Sequence, residues 1–201
     1  MSYDNRSVLI NRLDICDQEN AVNLAVDCFV DDAYYISMFK GSSLRKELAT
    51  MFSHAMMFCM LHGIAYKAEF NHEVIAFLIA FDYFHVKHNY YHEYRKIFGL
   101  DVGPDMPFMI TPDLSPVLTR ADALQTNTIY LLSMGVKESY RKRGIASMLI
   151  DAILYDYPNH NFIGDVSNKD SLEIYRSRCF HVEMGQQMLY TVILPITTKT
   201  K

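Results

Sequence analysis

Hydrophobic and polar positions follow two different periods along this chain, and the changes of period mark its elements. Ser7 to Leu13 reads as a short strand. Asp17 is an N-cap candidate, and Ala21, Leu24, Ala25 and Cys28 then recur at helical spacing. A second helix begins near Ser42-Ser43. Its apolar stripe runs through Leu44, Leu48, Met51, Phe52, Ala55, Met56 and Cys59 until His62-Gly63 ends it. Methionines at this spacing fill a core, so Met56, Met57 and Met60 are read as packing rather than as a cofactor pocket. Two apolar runs follow, Ile64 to Phe70 and Val74 to Phe81, with Asn71-His72 between them. Asn suits a tight turn, which predicts an antiparallel hairpin.

Regularity is lost between Asp82 and Thr126. The aromatic, His-rich stretch Tyr83 to Phe98 predicts a helix. A loop punctuated by Gly99, Gly103, Pro104, Pro107, Pro112 and Pro116 is expected after it. A connection this long and irregular is usually functional or mobile. From Asn127 the periods return. Thr128 to Val136 is a strand candidate, Ile145 to Tyr157 a helix, Asn161 to Val166 a strand and Asn168 to Arg178 a second short helix. Phe180 to Met184 and Gln187 to Leu194 form a final strand pair. Strands alternating with helices imply a mixed α/β sheet. One domain over residues 1–201 is expected, with an irregular insertion at about 82–126.

Composition narrows the class. Of 201 residues, 50% are hydrophobic and 21% charged, which suits a globular protein with a sizeable core. A formal net charge of -4 argues against wholesale nucleic-acid binding. Cys16, Cys28, Cys59 and Cys179 are scattered without a CxxC pair, so reduced, buried thiols are expected and no metal site. The polar start Met1 to Arg6 is unlike a secretory signal. No apolar stretch reaches the roughly eighteen residues that a membrane helix requires. A cytoplasmic location without membrane attachment is expected.

The candidate chemistry lies where a strand meets a basic turn. Leu131 to Tyr140 is followed directly by Arg141-Lys142-Arg143-Gly144-Ile145-Ala146, and a helix opens on the small residues Gly144 and Ala146. The first N–H groups of a helix have no intrahelical partner, and the helix dipole adds partial positive charge around them. Gly144 lets an anion approach the backbone closely. Arg141, Lys142 and Arg143 add full charges. The alternative is a solvated basic turn capping an ordinary helix. The strand before it, the helix it opens and the strand and Asn168 that follow favour the anion site.

In this arrangement the chain resembles the GNAT superfamily of N-acetyltransferases. That family's signature is a strand, then Gln or Arg, two residues, Gly, one residue, Gly or Ala, then a helix. Arg141, Gly144 and Ala146 fill its fixed positions. A second family feature, Asn then Tyr then Gly-Phe, is met by Asn168, Tyr175 and Phe180, with Cys179 in place of the Gly. The resemblance runs from about Thr128 to Phe180, is looser over the hairpin 64–81 and does not extend to 82–126.

The resemblance implies a central mixed, largely antiparallel sheet, splayed at the cofactor site and flanked by helices. It implies acetyl-CoA as co-substrate and a small-molecule or peptide amine as acceptor. By the same resemblance, main-chain groups of Met134 and Val136 pair the pantetheine amides. Arg143, Gly144, Ile145 and Ala146 bind the pyrophosphate by backbone N–H, with Arg141 and Lys142 nearby, and the Asn168 side chain contacts the cofactor. Asn168 also suits a helix N-cap. Tyr175 matches the family's leaving-group acid, the alternative being a packing role. Glu69 is the candidate general base, because the family often places an acidic group on that strand. A non-catalytic acyl-CoA-binding module and transfer of a longer acyl chain are the competing functions. A homodimer paired through the C-terminal strand Gln187 to Leu194 is a further expectation.

One other constellation invites a metal reading. His85, His88 and His92 stand at helical spacing and would share one face of a continuous helix. Without a cysteine or a second segment, a solvated or substrate-lining helix is the better reading.

Overall fold

The computed structural model describes residues 7–39, 43–93, 115–124, 127–184 and 189–196. The loop expected over 99–112 and the Gln187 end of the last strand lie outside these residues. Seven strands, largely antiparallel and flanked by helices, follow the order β1-β2-β3-β4-β5-β7-β6. The chain divides into two compact units, Met1–Ala80 with Ser133–Asp156 and Phe81–Leu132 with Tyr157–Lys201.

The first unit holds β1 (Leu9–Arg12), α1 (Gln18–Phe29), α2 (Ala33–Met38), α3 (Leu44–His62), β2 (Ile64–Phe70) and most of β3 (Glu73–Asp82). The cap before α1 sits earlier than the sequence suggests. The Asp14 carboxylate accepts from Cys16 N, Asp14 N donates to the Asp17 carboxylate, and a 3-10 turn over Ile15–Asp17 precedes the helix. Asp17 itself makes no cap bond to α1. The hairpin is as expected. Asn71 and His72 both adopt positive φ, 51° and 63°, the mirror-image turn that matches strand twist. The faces of α1 and α3 meet through Phe29 and Phe52, whose rings stack 5.3 Å apart, and Phe52 reaches Phe77 of β3. From Val74 to Phe81 every β3 side chain is buried, each large one contributing about 1.5–3 kcal/mol.

In the second unit, Asp82 caps α4 (Tyr83–Asn89) by accepting from His85 N at 2.8 Å. The helix α5 (Ser115–Leu124) replaces the end of the expected loop. Pro116 stands in the first turn of this helix and not in a loop, and a proline there costs no hydrogen bond. Val117 and Ala121, one turn apart, are buried. The strand β4 (Thr128–Val136) begins here and ends in the first unit, where α6 (Ile145–Asp156) follows it. Its parallel pairing with β5 (Asn161–Val166) runs from Thr128↔Asn161 to Leu131↔Gly164. The short helix α7 (Leu172–Arg176), β6 (His181–Met184) and β7 (Tyr190–Leu194) complete the unit.

Three expectations are corrected. The helix at Tyr83 ends at Asn89, so His92 does not share it with His85 and His88, and no cluster among the described residues could hold a metal. Cys16 and Cys179 are exposed, and only Cys59 is fully buried. The strand β7 is flanked by β5 and β6, which occupy both its backbone edges and leave none for a second copy of the chain. No helix among the described residues is long and apolar enough to cross a membrane.

Candidate functional site

The basic turn keeps its shape through bonds to itself. After a 3-10 turn at Glu138–Tyr140, Lys142 takes φ 59° and Gly144 φ 79°. Nε of Arg141 donates to the Val136 carbonyl at 3.1 Å, and a terminal nitrogen of Arg143 donates to Ser139 O at 2.6 Å. The Arg143 guanidinium also lies 5.1 Å over the Tyr140 ring, which itself leans on Phe70. The first helical bond of α6 is Met148 N to Gly144 O, which leaves the Ile145 and Ala146 N–H groups outside the ladder. A Cβ built on Gly144 meets nothing within 4 Å. Open space above a left-handed glycine, helix N–H groups and basic side chains together fit a phosphate ester.

The strand leading into this turn is closely seated. A Cβ at Gly135 would lie 2.6 Å from Phe77 and 3.0 Å from Cys28 Sγ, so only glycine fits. Lys137 N donates to Ile75 O at 2.8 Å. By strand alternation, the Met134 and Val136 main-chain groups then face the other edge. The Val136 carbonyl already accepts from Arg141 and from Cys28 Sγ at 3.4 Å. Burial pushes the Cys28 thiol up, against the hydrogen bond and charge of Arg141. Also in this unit, Glu69 Oε2 lies 2.9 Å from Lys67 Nζ, which is shared with Asp17 at 2.9 Å.

In the second unit, Asn168 Oδ1 accepts from Asp170 N at 2.8 Å, the cap role that its position suggested. Tyr175 is 6% exposed, and burial raises its hydroxyl to about 12. Its place is set by the end of α7. Phe180 N donates to Tyr175 O, Cys179 N donates to Arg176 O, and the Tyr175 and Phe180 rings pack edge-on at 5.4 Å. This is the Schellman ending with its apolar contact, and Cys179 occupies the left-handed position at φ 63°.

A model of the family described as "Acetyltransferase (GNAT) family" matches residues 108–179. Over those residues the chain matches the GNAT family. Arg141, Gly144, Ala146, Asn168 and Tyr175 all lie within the match. No curated protein matches the sequence. Solved structures share the GNAT fold at low identity. The chain is 13% identical to a Drosophila melanogaster polyamine N-acetyltransferase, with TM-score 0.64, covering 94% of this chain and 99% of that one. Similarity to PaiA N-acetyltransferase of Thermoplasma acidophilum, solved in complex with coenzyme A, has TM-score 0.61 at 13% identity and the same coverage of 94% and 99%. For a Pyrococcus horikoshii putative acetyltransferase the figures are 0.53 and 16%. There 90% of this chain aligns, but it spans only 46% of that chain.

Two residues near these elements escaped the sequence reading. Cys28 looked like one more apolar helix position. Asp165 had a signal, as the single charge inside the apolar run Phe162-Ile163-Gly164-Asp165-Val166.

Proposed function

We propose that this protein transfers the acetyl group of acetyl-CoA to a primary amine by direct attack. The observation that carries the reading is the left-handed, uncovered Gly144 at the N-terminus of α6, set among Arg141, Lys142 and Arg143. The backbone N–H groups of Arg143 to Ala146 hold the pyrophosphate, and main-chain groups of Met134 and Val136 hold the pantetheine. Asn168 adds its side-chain amide while its Oδ1 caps the following turn. When bound, acetyl-CoA supplies an electrophilic thioester carbonyl and a thiolate leaving group.

Tyr175 donates a hydrogen bond to the departing sulfur. Its hydroxyl, near 12, stays protonated at any physiological pH. A cysteine-like thiol titrates near 8.5, so complete transfer from Tyr175 would run uphill by about 5 kcal/mol. Hydrogen-bond donation avoids that cost. Glu69, the proton acceptor suggested by sequence, gives up a matched ion pair with Lys67 if it takes a proton. That pairing favours a structural role in anchoring the hairpin to Asp17, three residues after the Asp14 cap.

Calorimetry with acetyl-CoA tests the reading, with Gly144→Glu as control. Binding by the wild type that the variant loses supports the donor site. A thiol-release assay over polyamines, agmatine, amino acids and peptide N-termini then identifies the acceptor. Folded wild-type protein that binds no acetyl-CoA overturns the proposal.

A further inference from the structure

Asp165 is a half-buried carboxylate whose partners are all neutral. It is the residue after Gly164, the last of β5 to pair with β4. Across the antiparallel ladder it faces Thr191 of β7, which in turn faces Glu183 of β6. Cross-strand partners share a face, so the three side chains form a row. The Tyr130 hydroxyl donates to one Asp165 oxygen at 3.0 Å and the Thr191 hydroxyl to the other at 3.3 Å.

The cations of the two helices α4 and α5 pair with carboxylates other than Asp165. Arg120 of α5 binds Glu183 at 3.0 Å, with His181 3.7 Å from the same carboxylate. Lys87 of α4 binds Asp122 of α5, which also accepts from the Tyr83 hydroxyl at 2.9 Å. Among the described residues, no cation pairs with Asp165. Burial lifts its carboxyl to about 7, against the lowering effect of the Tyr130 and Thr191 hydrogen bonds. An uncompensated carboxylate inside a fold is costly, and such groups gather where proton chemistry occurs.

The row lies on the face of β5 opposite to Tyr175. Phe162, three residues before Asp165, contacts Phe180, and Phe180 contacts Tyr175. Alternation sends Phe162 and Asp165 to opposite faces. A proton acceptor and a hydrogen-bond donor on opposite sides of one strand suit a nucleophile arriving on one face and a leaving group departing on the other.

Building on the acetyl-transfer reading, we propose that Asp165, positioned by Tyr130 and Thr191, takes the proton from the acceptor ammonium. The carboxylate accepts one proton from R–NH3+, giving a carboxyl and a neutral amine. The amine lone pair forms the C–N bond to the thioester carbonyl carbon, and the C–S bond breaks. The sulfur leaves hydrogen-bonded to Tyr175 and takes up the second nitrogen proton through water, and Asp165 returns its proton to water. The sum is ammonium plus thioester giving amide, thiol and one free proton. The charge of Asp165 also repels an acceptor with a carboxylate beside its amine, so simple amines are preferred to amino acids.

The test has two arms, each comparing wild type with Asp165→Asn. In the free protein, carbon-13 NMR of labelled aspartates should reveal one carboxyl titrating near pH 7 that is missing in the variant. Tyr130→Phe, which removes a donor to the charged form, should move that midpoint upward. In turnover, the acidic limb of kcat/KM for the amine should follow the same midpoint. Asp165→Asn should lose the limb and at least 100-fold in kcat/KM, within the usual range for a general base, and keep its acetyl-CoA Kd within twofold. A variant retaining more than a third of wild-type kcat/KM, or a free protein with no such carboxyl, overturns the role and leaves acetyl transfer intact. Wild type that binds acetyl-CoA but acetylates no amine overturns the acetyl-transfer reading, and the role of Asp165 with it.

Discussion

Nε of Arg141 lies 3.1 Å from the carbonyl oxygen of Val136, which also accepts from the Cys28 thiol at 3.4 Å. One backbone oxygen thus ties the basic turn to the strand before it and to α1.

Arg141→Ala should therefore loosen the turn as well as remove a charge. A hydrogen bond from a charged donor contributes about 1.5–3 kcal/mol. The acetyl-CoA Kd should rise about tenfold or more in calorimetry, with kcat at saturating donor changed less than threefold. Lysine at 141 lacks the guanidinium Nε–H and should rescue poorly. Wild-type affinity in Arg141→Ala would mean that the tie does not support the site.

Tyr175→Phe removes the hydroxyl and keeps the ring packed on Phe180. The expected result is at least a tenfold fall in kcat with the acetyl-CoA Kd within twofold. With the hydroxyl near 12, the wild-type rate should show no alkaline fall due to Tyr175 below about pH 10. Unchanged turnover would confine Tyr175 to packing.

Cys179 adopts a conformation that costs a non-glycine residue about 1–2 kcal/mol. Cys179→Gly should stabilise the protein by about 1 kcal/mol, a Tm rise of about 2–4 °C. Cys179→Ala should give no such gain. Equal effects of the two variants would show that loss of the thiol, not relief of backbone strain, matters.

Asp165 links stability to pH. Its carboxyl titrates near 7 in the fold and near 3.9 in an unfolded chain. Because the folded value is raised, the stability contribution is complete below pH 4 and is lost as pH rises through 7. The loss reaches at most about 4 kcal/mol. Asp165→Asn carries no such charge, so its Tm advantage over wild type should be near zero at about pH 3 and several degrees at about pH 8. Parallel Tm–pH curves for the two proteins would contradict the buried carboxylate.

The local rules read well from sequence where one signal decided the element. The Asn71-His72 turn, α3 ending at Gly63 and the strand–turn–helix at Gly144 each follow from a few residues. The failures arose where position along an element mattered more than residue type. Pro116 marked a helix start, not a loop, and Asn89 ended a helix although His92 continues the spacing of His85 and His88. Asp165 was hidden for another reason. Its meaning depends on Tyr130 and Thr191, which lie far off in sequence and come together only through the strand register of β4, β5 and β7.

Arg141 and Arg143 use their donors on carbonyls of the segment they follow, and Arg143 rests on Tyr140. The conformational freedom of the turn is therefore lost when the chain folds, not when a ligand arrives. Association then meets a surface already ordered at this end, and more of the contact energy remains as affinity.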